Sequence, residues 1–187
     1  MSRVVLALVG FVLTAALMPV SSAAASRKTI PDVKVLFHHA VKIVHRTDPP
    51  TFSNAVMLEA EGTTGGVPTT SASGIDRWRF VFDNQPSGPQ FPRTAFISYG
   101  PPPLGFGPVI GNPSPFLEDR RIPKAPAMTL KRAVKLLQDA GFTNAFLNVT
   151  LRSPIAQITF NPLYIFGFGN NQFVAVDTKT RQVFPFS

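Results

Sequence analysis

Three histidines, His38, His39 and His45, and two carboxylates, Glu59 and Glu61, are the residues of this 187-residue chain whose types and spacing invite a chemical reading. His38 and His45 stand seven apart, so on a helix they share a face with Lys42 between them. A zinc-like ion wants neutral imidazoles and further ligands. The neighbours are instead Lys34, Lys42 and Arg46, whose charge opposes a cation. The expectation is a solvated helix face and no metal site. Glu59 and Glu61 share one face of a strand, but glycoside hydrolysis needs carboxylates about 5 or 6.5–9.5 Å apart across a cleft. A strand edge next to Gly62 offers no cleft. Asp83, Asp119 and Asp177 have no histidine or serine partner visible in sequence, and Gly-x-Ser-x-Gly, the P-loop and His-Glu-x-x-His are absent. The chain has no cysteine, which closes thiol catalysis, disulfide exchange and cysteine-ligated metal. These residues predict a non-enzyme with no catalytic residues and no cofactor.

What remains is binding chemistry. Lys131, Arg132 and Lys135 occupy positions on a second predicted helix that match His38, His39 and Lys42 on the first. Lys42, Lys131, Arg132 and Lys135 are therefore candidate binding residues for an acidic polymer or an acidic protein. A proline-rich stretch carries Leu104, Phe106, Val109, Ile110, Phe116 and Leu117, too apolar for a freely solvated tether. Phe106, Ile110 and Phe116 are the candidate contacts to a protein partner. Trp78, Phe80, Phe82, Tyr164, Phe166 and Phe168 line one face of two predicted strands. That face is either the core beneath the helices or a concave surface for an apolar ligand. Asn148-Val149-Thr150 is the single N-glycosylation sequon, inside a predicted strand, which makes Asn148 the candidate glycosylation site.

The elements that must carry these residues read as a repeat. Trp78-Arg79-Phe80-Val81-Phe82-Asp83-Asn84 recurs as Tyr164-Ile165-Phe166-Gly167-Phe168-Gly169-Asn170, Ala40-Val41-Lys42-Ile43-Val44 as Ala133-Val134-Lys135-Leu136-Leu137, and Phe96-Ile97 as Phe173-Val174. The offsets of 93, 86 and 77 keep the order while the loops shrink. Val33, Leu36, Phe37, Ala40, Val41 and Val44 form a helical stripe, with Asp32 as N-cap and Asp48-Pro49-Pro50 as stop. The second helix begins after Thr129, turns Leu130, Ala133, Val134 and Leu137 inward, and ends at Gly141. Strands are predicted at 55–59, 77–82 and 94–99 in the first copy, and at 145–151, 155–160, 163–168, 172–176 and 182–186 in the second. Residues 168–173 read as a tight hairpin and 62–74 as an exposed loop. The fold class is α+β: two repeated units, each one helix packed on an antiparallel sheet of three or four strands.

Residues 1–25 read as a signal peptide: Arg3, an apolar run from Val4 to Leu17, and Ala23-Ala24-Ala25 before Ser26. Residues 26–100 form the first repeat, 101–127 a Pro/Gly-rich linker, and 128–187 the second repeat. The run of about 14 residues is too short to span a membrane, so no transmembrane segment is expected once the signal is removed. The expected location is secreted, periplasmic or extracellular. Beyond residue 25, 17 Lys and Arg face 10 Asp and Glu. In an exported chain that balance suits acidic surfaces, polymers or partner proteins rather than nucleic acid.

The second copy closes with Val176-Asp177-Thr178-Lys179-Thr180-Arg181-Gln182-Val183. This resembles the closing hairpin of the PepSY domain, V-D-x-x-T-G-x-V, and the preceding helix and aromatic central strand are similar to that family over 128–186. Arg181 stands where the family has glycine, and the first copy has Tyr99-Gly100-Pro101 where Val-Asp would fall. The resemblance implies an exported, non-catalytic module that inhibits a protease or regulates a partner. A helix on an antiparallel sheet also resembles the cystatin-like fold, although the Gln-Val-x-Ala-Gly loop of cystatins is missing. The expected function is an exported binding module acting on a protein partner, a protease among the candidates, as inhibitor or regulator. The alternative is a binder of an apolar ligand through the aromatic face, or of an acidic polymer through the basic helix faces.

Overall fold

A computed structural model describes residues 30–84, 91–101, 103–155 and 160–186. The signal-peptide reading and most of the strand expected over 155–160 lie outside the described residues. Helix α1 (Val33–Thr47) starts at Asp32, whose carboxylate accepts the Lys34 N–H at 3.0 Å. It buries Val33, Leu36, Phe37, Ala40 and Val44. Pro49 and Pro50 do end α1, but Pro49 also opens a one-turn helix, α2 (Pro49–Phe52), because proline fits a first turn whose N–H groups lack partners.

The strands are β1 (Val56–Thr63), β2 (Arg77–Asp83), β3 (Thr94–Gly100), β4 (Gly105–Phe106), β5 (Ile110–Asn112), β6 (Phe146–Arg152), β7 (Leu163–Phe168), β8 (Phe173–Asp177) and β9 (Val183–Phe186), with helix α3 (Leu130–Asp139) between β5 and β6. They form one antiparallel sheet in the order β4-β3-β2-β1-β6-β7-β8-β9, with β5 on the same edge of β3 as β4. The protein is thus α+β, with few helices on a single nine-stranded sheet rather than two separate small sheets. The join is β1 against β6, from Glu59 opposite Arg152 to Thr63 opposite Asn148. Pairing on both edges also carries β1 to Thr63, beyond the predicted end at Glu59.

On each side of that seam the pairing runs in the same register. Phe80 stands between Ala60 and Ile97, and Phe166 between Val149 and Val174. The register slips once in each half, between Met57 and Glu59 and between Phe146 and Asn148, so Leu58 and Leu147 are bulge residues.

Both helices cover one face of the sheet. Val33, Leu36, Phe37 and Ala40 of α1 and Leu130, Ala133 and Leu137 of α3 share one core cluster with Phe80, Phe82, Val149, Tyr164, Phe166 and Val174. Each buried phenylalanine contributes roughly 1.5–3 kcal/mol. The aromatic strand face is therefore core: Phe80, Phe82 and Phe166 are fully buried. The opposite face carries a smaller cluster of Leu163, Ile165 and Ala175 with Phe184 and Phe186.

The proline-rich 101–127 segment is docked rather than tethered. Phe106 packs between Phe80 and Tyr99, with ring centroids 6.0 and 5.0 Å away. The Arg120 N–H donates to Ser153 O at 2.7 Å and the Ile122 N–H to Met57 O at 2.7 Å, so the chain straps across the adjoining ends of β1 and β6. At the far edge, Asp177 N–H donates to Gln182 O. Bonded pairs recur every second residue, which turns the nitrogen of Pro185, opposite Val174, toward the open edge and blunts it. Among the described residues, no helix is long and apolar enough to cross a membrane.

Candidate binding grooves around the second helix

Helix α3 has four inward positions, Leu130, Ala133, Val134 and Leu137. With a 3.6-residue period, that commitment places Lys131, Arg132 and Lys135 outside, and all three are exposed. The Thr129 hydroxyl caps the helix by accepting the Arg132 N–H at 3.3 Å. The Asp32 carboxylate takes the Leu130 N–H at 3.1 Å, so the α1 and α3 N-termini converge on one side chain. Beneath them, the Tyr164 hydroxyl donates to Met128 O at 3.0 Å, and burial pushes its pKa up, with Asp32 adding to the effect.

Two grooves flank α3. The first, about 660 Å³, lies between the helix and the 70–72 turn and is lined by Thr70, Ser71, Lys131, Arg132, Lys135 and Gln138 among others. Gln138 fixes its far wall by donating to Thr70 O at 2.8 Å. Lys135 is paired with Asp139 at 2.8 Å, one turn along. The second groove, about 580 Å³, lies on the other side of the first turn against the β8–β9 turn, where Lys124, Lys179 and Arg181 join Thr129 and Arg132. Thr129 and Arg132 border both grooves, which therefore meet at that turn.

The structure thus brings Lys131, Arg132 and Lys135 together on one groove. Lys42 is exposed on α1 and lines neither groove, so the basic faces of the two helices do not share a groove. His38 and His39 are also exposed, whereas a ring nitrogen of His45 lies 2.8 Å from Ala55 O and ties α1 to the start of β1. The loop trio is dispersed in role: Phe106 and Phe116 are both half-buried, Phe106 packing against the edge of the core, and Ile110 stands well out, 60 % exposed on β5. Asn148 lies mid-sheet between β1 and β7, half-buried, and its amide occupies the space a Cβ at residue 167 would need. Lys124, Lys179 and Arg181 escaped the sequence reading because no helical period links them to α3.

A second polar constellation sits on the opposite sheet face. Glu59 is buried between Arg79, at 3.5 Å, and Arg152, at 3.8 Å. Arg79 also holds Glu61 at 2.9 Å, and Arg152 holds Asp119 at 2.8 Å and Glu118 at 3.3 Å. Burial pushes the Glu59 carboxyl up to about 7, with Arg152 and Arg79 opposing and Asp119 and Glu61 reinforcing. Burial likewise raises Asp119 against its hydrogen bond from Arg152. Burial works against the Arg152 cation, but Asp119, Glu59 and Glu118 outweigh it and hold the guanidinium charged. Four carboxylates share two guanidiniums, and the strap closes over the buried pair. Burial thus favours the protonated form of Glu59, and Glu59 and Asp119 both lie buried beneath the guanidinium pair.

Compared with known protein families, curated proteins and solved structures, the chain matches none of them.

Proposed function

We propose that this protein is an exported, non-catalytic binding module that takes an acidic polymer along the grooves beside α3. The observation that carries this reading is the convergence of Lys131, Arg132 and Lys135 on one groove, with Lys135 alone of the three ion-paired among the described residues, to Asp139. A row of cations facing solvent attracts a polyanion at low ionic strength and releases its counter-ions on binding. The protein-partner reading through Phe106, Ile110 and Phe116 has less support, since Phe106 packs half-buried against Phe80 and Tyr99 and Ile110 stands apart. An inhibitor or regulator of the PepSY kind belongs to that second reading.

The same proposal takes the two halves as copies of one helix-and-strands unit fused through β1 and β6. The matched bulges at Leu58 and Leu147 support it. The test is binding of the full chain to immobilised polygalacturonate and dextran sulfate. Affinity is expected to fall steeply between 20 and about 200 mM salt, and at least tenfold on Lys131→Glu with Lys135→Glu. Salt-independent binding, or none at low salt, overturns the reading.

A further inference from the structure

The second groove has properties the first lacks. Lys124, Arg132, Lys179 and Arg181 line it without a carboxylate, and among the described residues none of these four cations makes an ion pair. Four cations around one concavity, with no ion-pair partner among the described residues, favour binding of an anion.

The turn that presents two of them is rigid. Asp177 is buried, and its Oδ1 accepts the Lys179 and Thr180 N–H groups, each at 2.8 Å. Asn161 donates to both oxygens of the same carboxylate, at 3.3 and 3.1 Å, and the Thr178 hydroxyl bonds Pro162 O at 2.7 Å. Lys179 and Arg181 therefore project from a hydrogen-bonded frame, and little backbone freedom remains to be lost on binding.

Arg181 adds a further sign. Its φ is +66°, in the left-handed region where a side chain costs about 1 kcal/mol and glycine costs nothing. The turn uses that conformation to bring Gln182 O back within 2.9 Å of the Asp177 N–H, just past the Arg181 N–H that donates to Asp177 O at 3.0 Å. A strained cation at a position glycine would fill more stably, aimed along a basic groove, is the pattern of a residue held for its side chain.

We infer that this groove is a second anion subsite, and that an acidic polysaccharide occupies both grooves at once, crossing α3 at Arg132. The inference rests on the polymer reading proposed above and names its ligand class. Carboxylate or sulfate groups suit the guanidinium forks of Arg132 and Arg181, which bind such planar or tetrahedral oxyanions with two parallel hydrogen bonds. Neither groove is lined by an aromatic side chain, so the stacking platforms that single-stranded nucleic acids use are missing there.

The experiment titrates the full chain with polygalacturonate (a polycarboxylate) and dextran sulfate (a polysulfate) at low salt, comparing Lys179→Glu/Arg181→Glu, Lys131→Glu/Lys135→Glu and Arg181→Gly. Each double reversal is expected to weaken binding at least tenfold and to flatten the salt dependence. Arg181→Gly separates ligand binding from folding: its melting temperature is expected to rise by about 2–4 °C while affinity falls severalfold. Loss of binding in the α3 variant, with the turn variants within twofold of the parent, overturns the second subsite and leaves the polymer reading standing. Failure of the parent chain to bind either polymer overturns both. Arg181→Gly that melts higher with unchanged affinity also overturns the subsite.

Discussion

Asp32 and Leu130 lie 98 residues apart and share one hydrogen bond, 3.1 Å from the Asp32 carboxylate to the Leu130 backbone N–H. The other oxygen of that carboxylate takes the Lys34 N–H, so a single side chain caps two helices. A helix cap is worth about 1 kcal/mol, and two caps on one residue make Asp32→Ala cost roughly 2 kcal/mol. The expected drop in melting temperature is about 4–8 °C. Asp32→Asn, whose amide has one acceptor oxygen, is expected to recover about half. Equal melting of Asp32→Ala and the parent would show that neither cap matters.

The proton on Glu59 sets a pH dependence of known sign. Its folded pKa of about 7 lies above the ordinary 4.5, so the folded state holds that proton more tightly than the unfolded chain. The stabilisation is complete below pH 4.5, declines as pH rises through 7, and is gone above. Its size is at most about 3 kcal/mol. Asp119, also raised, adds to the same slope. Thermal melts from pH 4.5 to 8.5 are expected to fall for the parent and to flatten for Glu59→Gln, which melts higher at pH 8.5. A parent melting temperature that does not fall across this range rejects the buried-proton assignment.

Breaking the same cluster from the cationic side has the opposite outcome. Arg152→Met leaves Asp119 and Glu59 buried without their shared partner. Loss of one member of a buried ion pair costs roughly 3–5 kcal/mol, and chemical denaturation at pH 8 is the measurement. The deficit is expected to shrink at pH 5, where Glu59 is neutral.

Gly62 faces a test of close packing. A Cβ there would stand 2.6 Å from Ile75 Cγ2 and 2.8 Å from the Trp78 ring, both buried. Gly62→Ala is expected to destabilise by about 1–3 kcal/mol through overpacking. Trp78 is the single tryptophan, so its emission reports the change directly. An unshifted spectrum and unchanged stability would mean that the Trp78 ring moves aside at no cost.

Periodicity was enough to place α1, α3 and the aromatic strands, since Leu36, Ala40, Phe80 and Phe166 obey local rules of spacing. Pairing partners obey no such rule. Nothing near Glu59 in sequence points to Arg152, and the β1–β6 seam that merges the predicted small sheets is a long-range choice. Asp119 has no histidine or serine partner in sequence, and the partner it does have, Arg152, lies 33 positions away on β6. The prolines of 101–127 were read as a linker because proline excludes helix and central strand, yet the same segment supplies the edge strands β4 and β5, where proline-rich chain is tolerated. Arg181 stands where the resembled hairpin has glycine, and the turn forms with Arg181 itself in the left-handed region.

The β1–β6 seam has a consequence for the order in which the molecule can be made. During synthesis, β1 meets β2 and β3 early, but its other edge stays open until β6 emerges some 85 residues later. Throughout that interval the nascent protein displays a row of unsatisfied amides and carbonyls in the middle of its future sheet, a template for pairing with a second nascent copy. The finished edges carry β4, β5 and the blunting Pro185, so the exposure is transient. A fragment ending before residue 128 keeps it permanently and is expected to self-associate, while addition of a 128–187 fragment would cover the open edge and dissolve the aggregates.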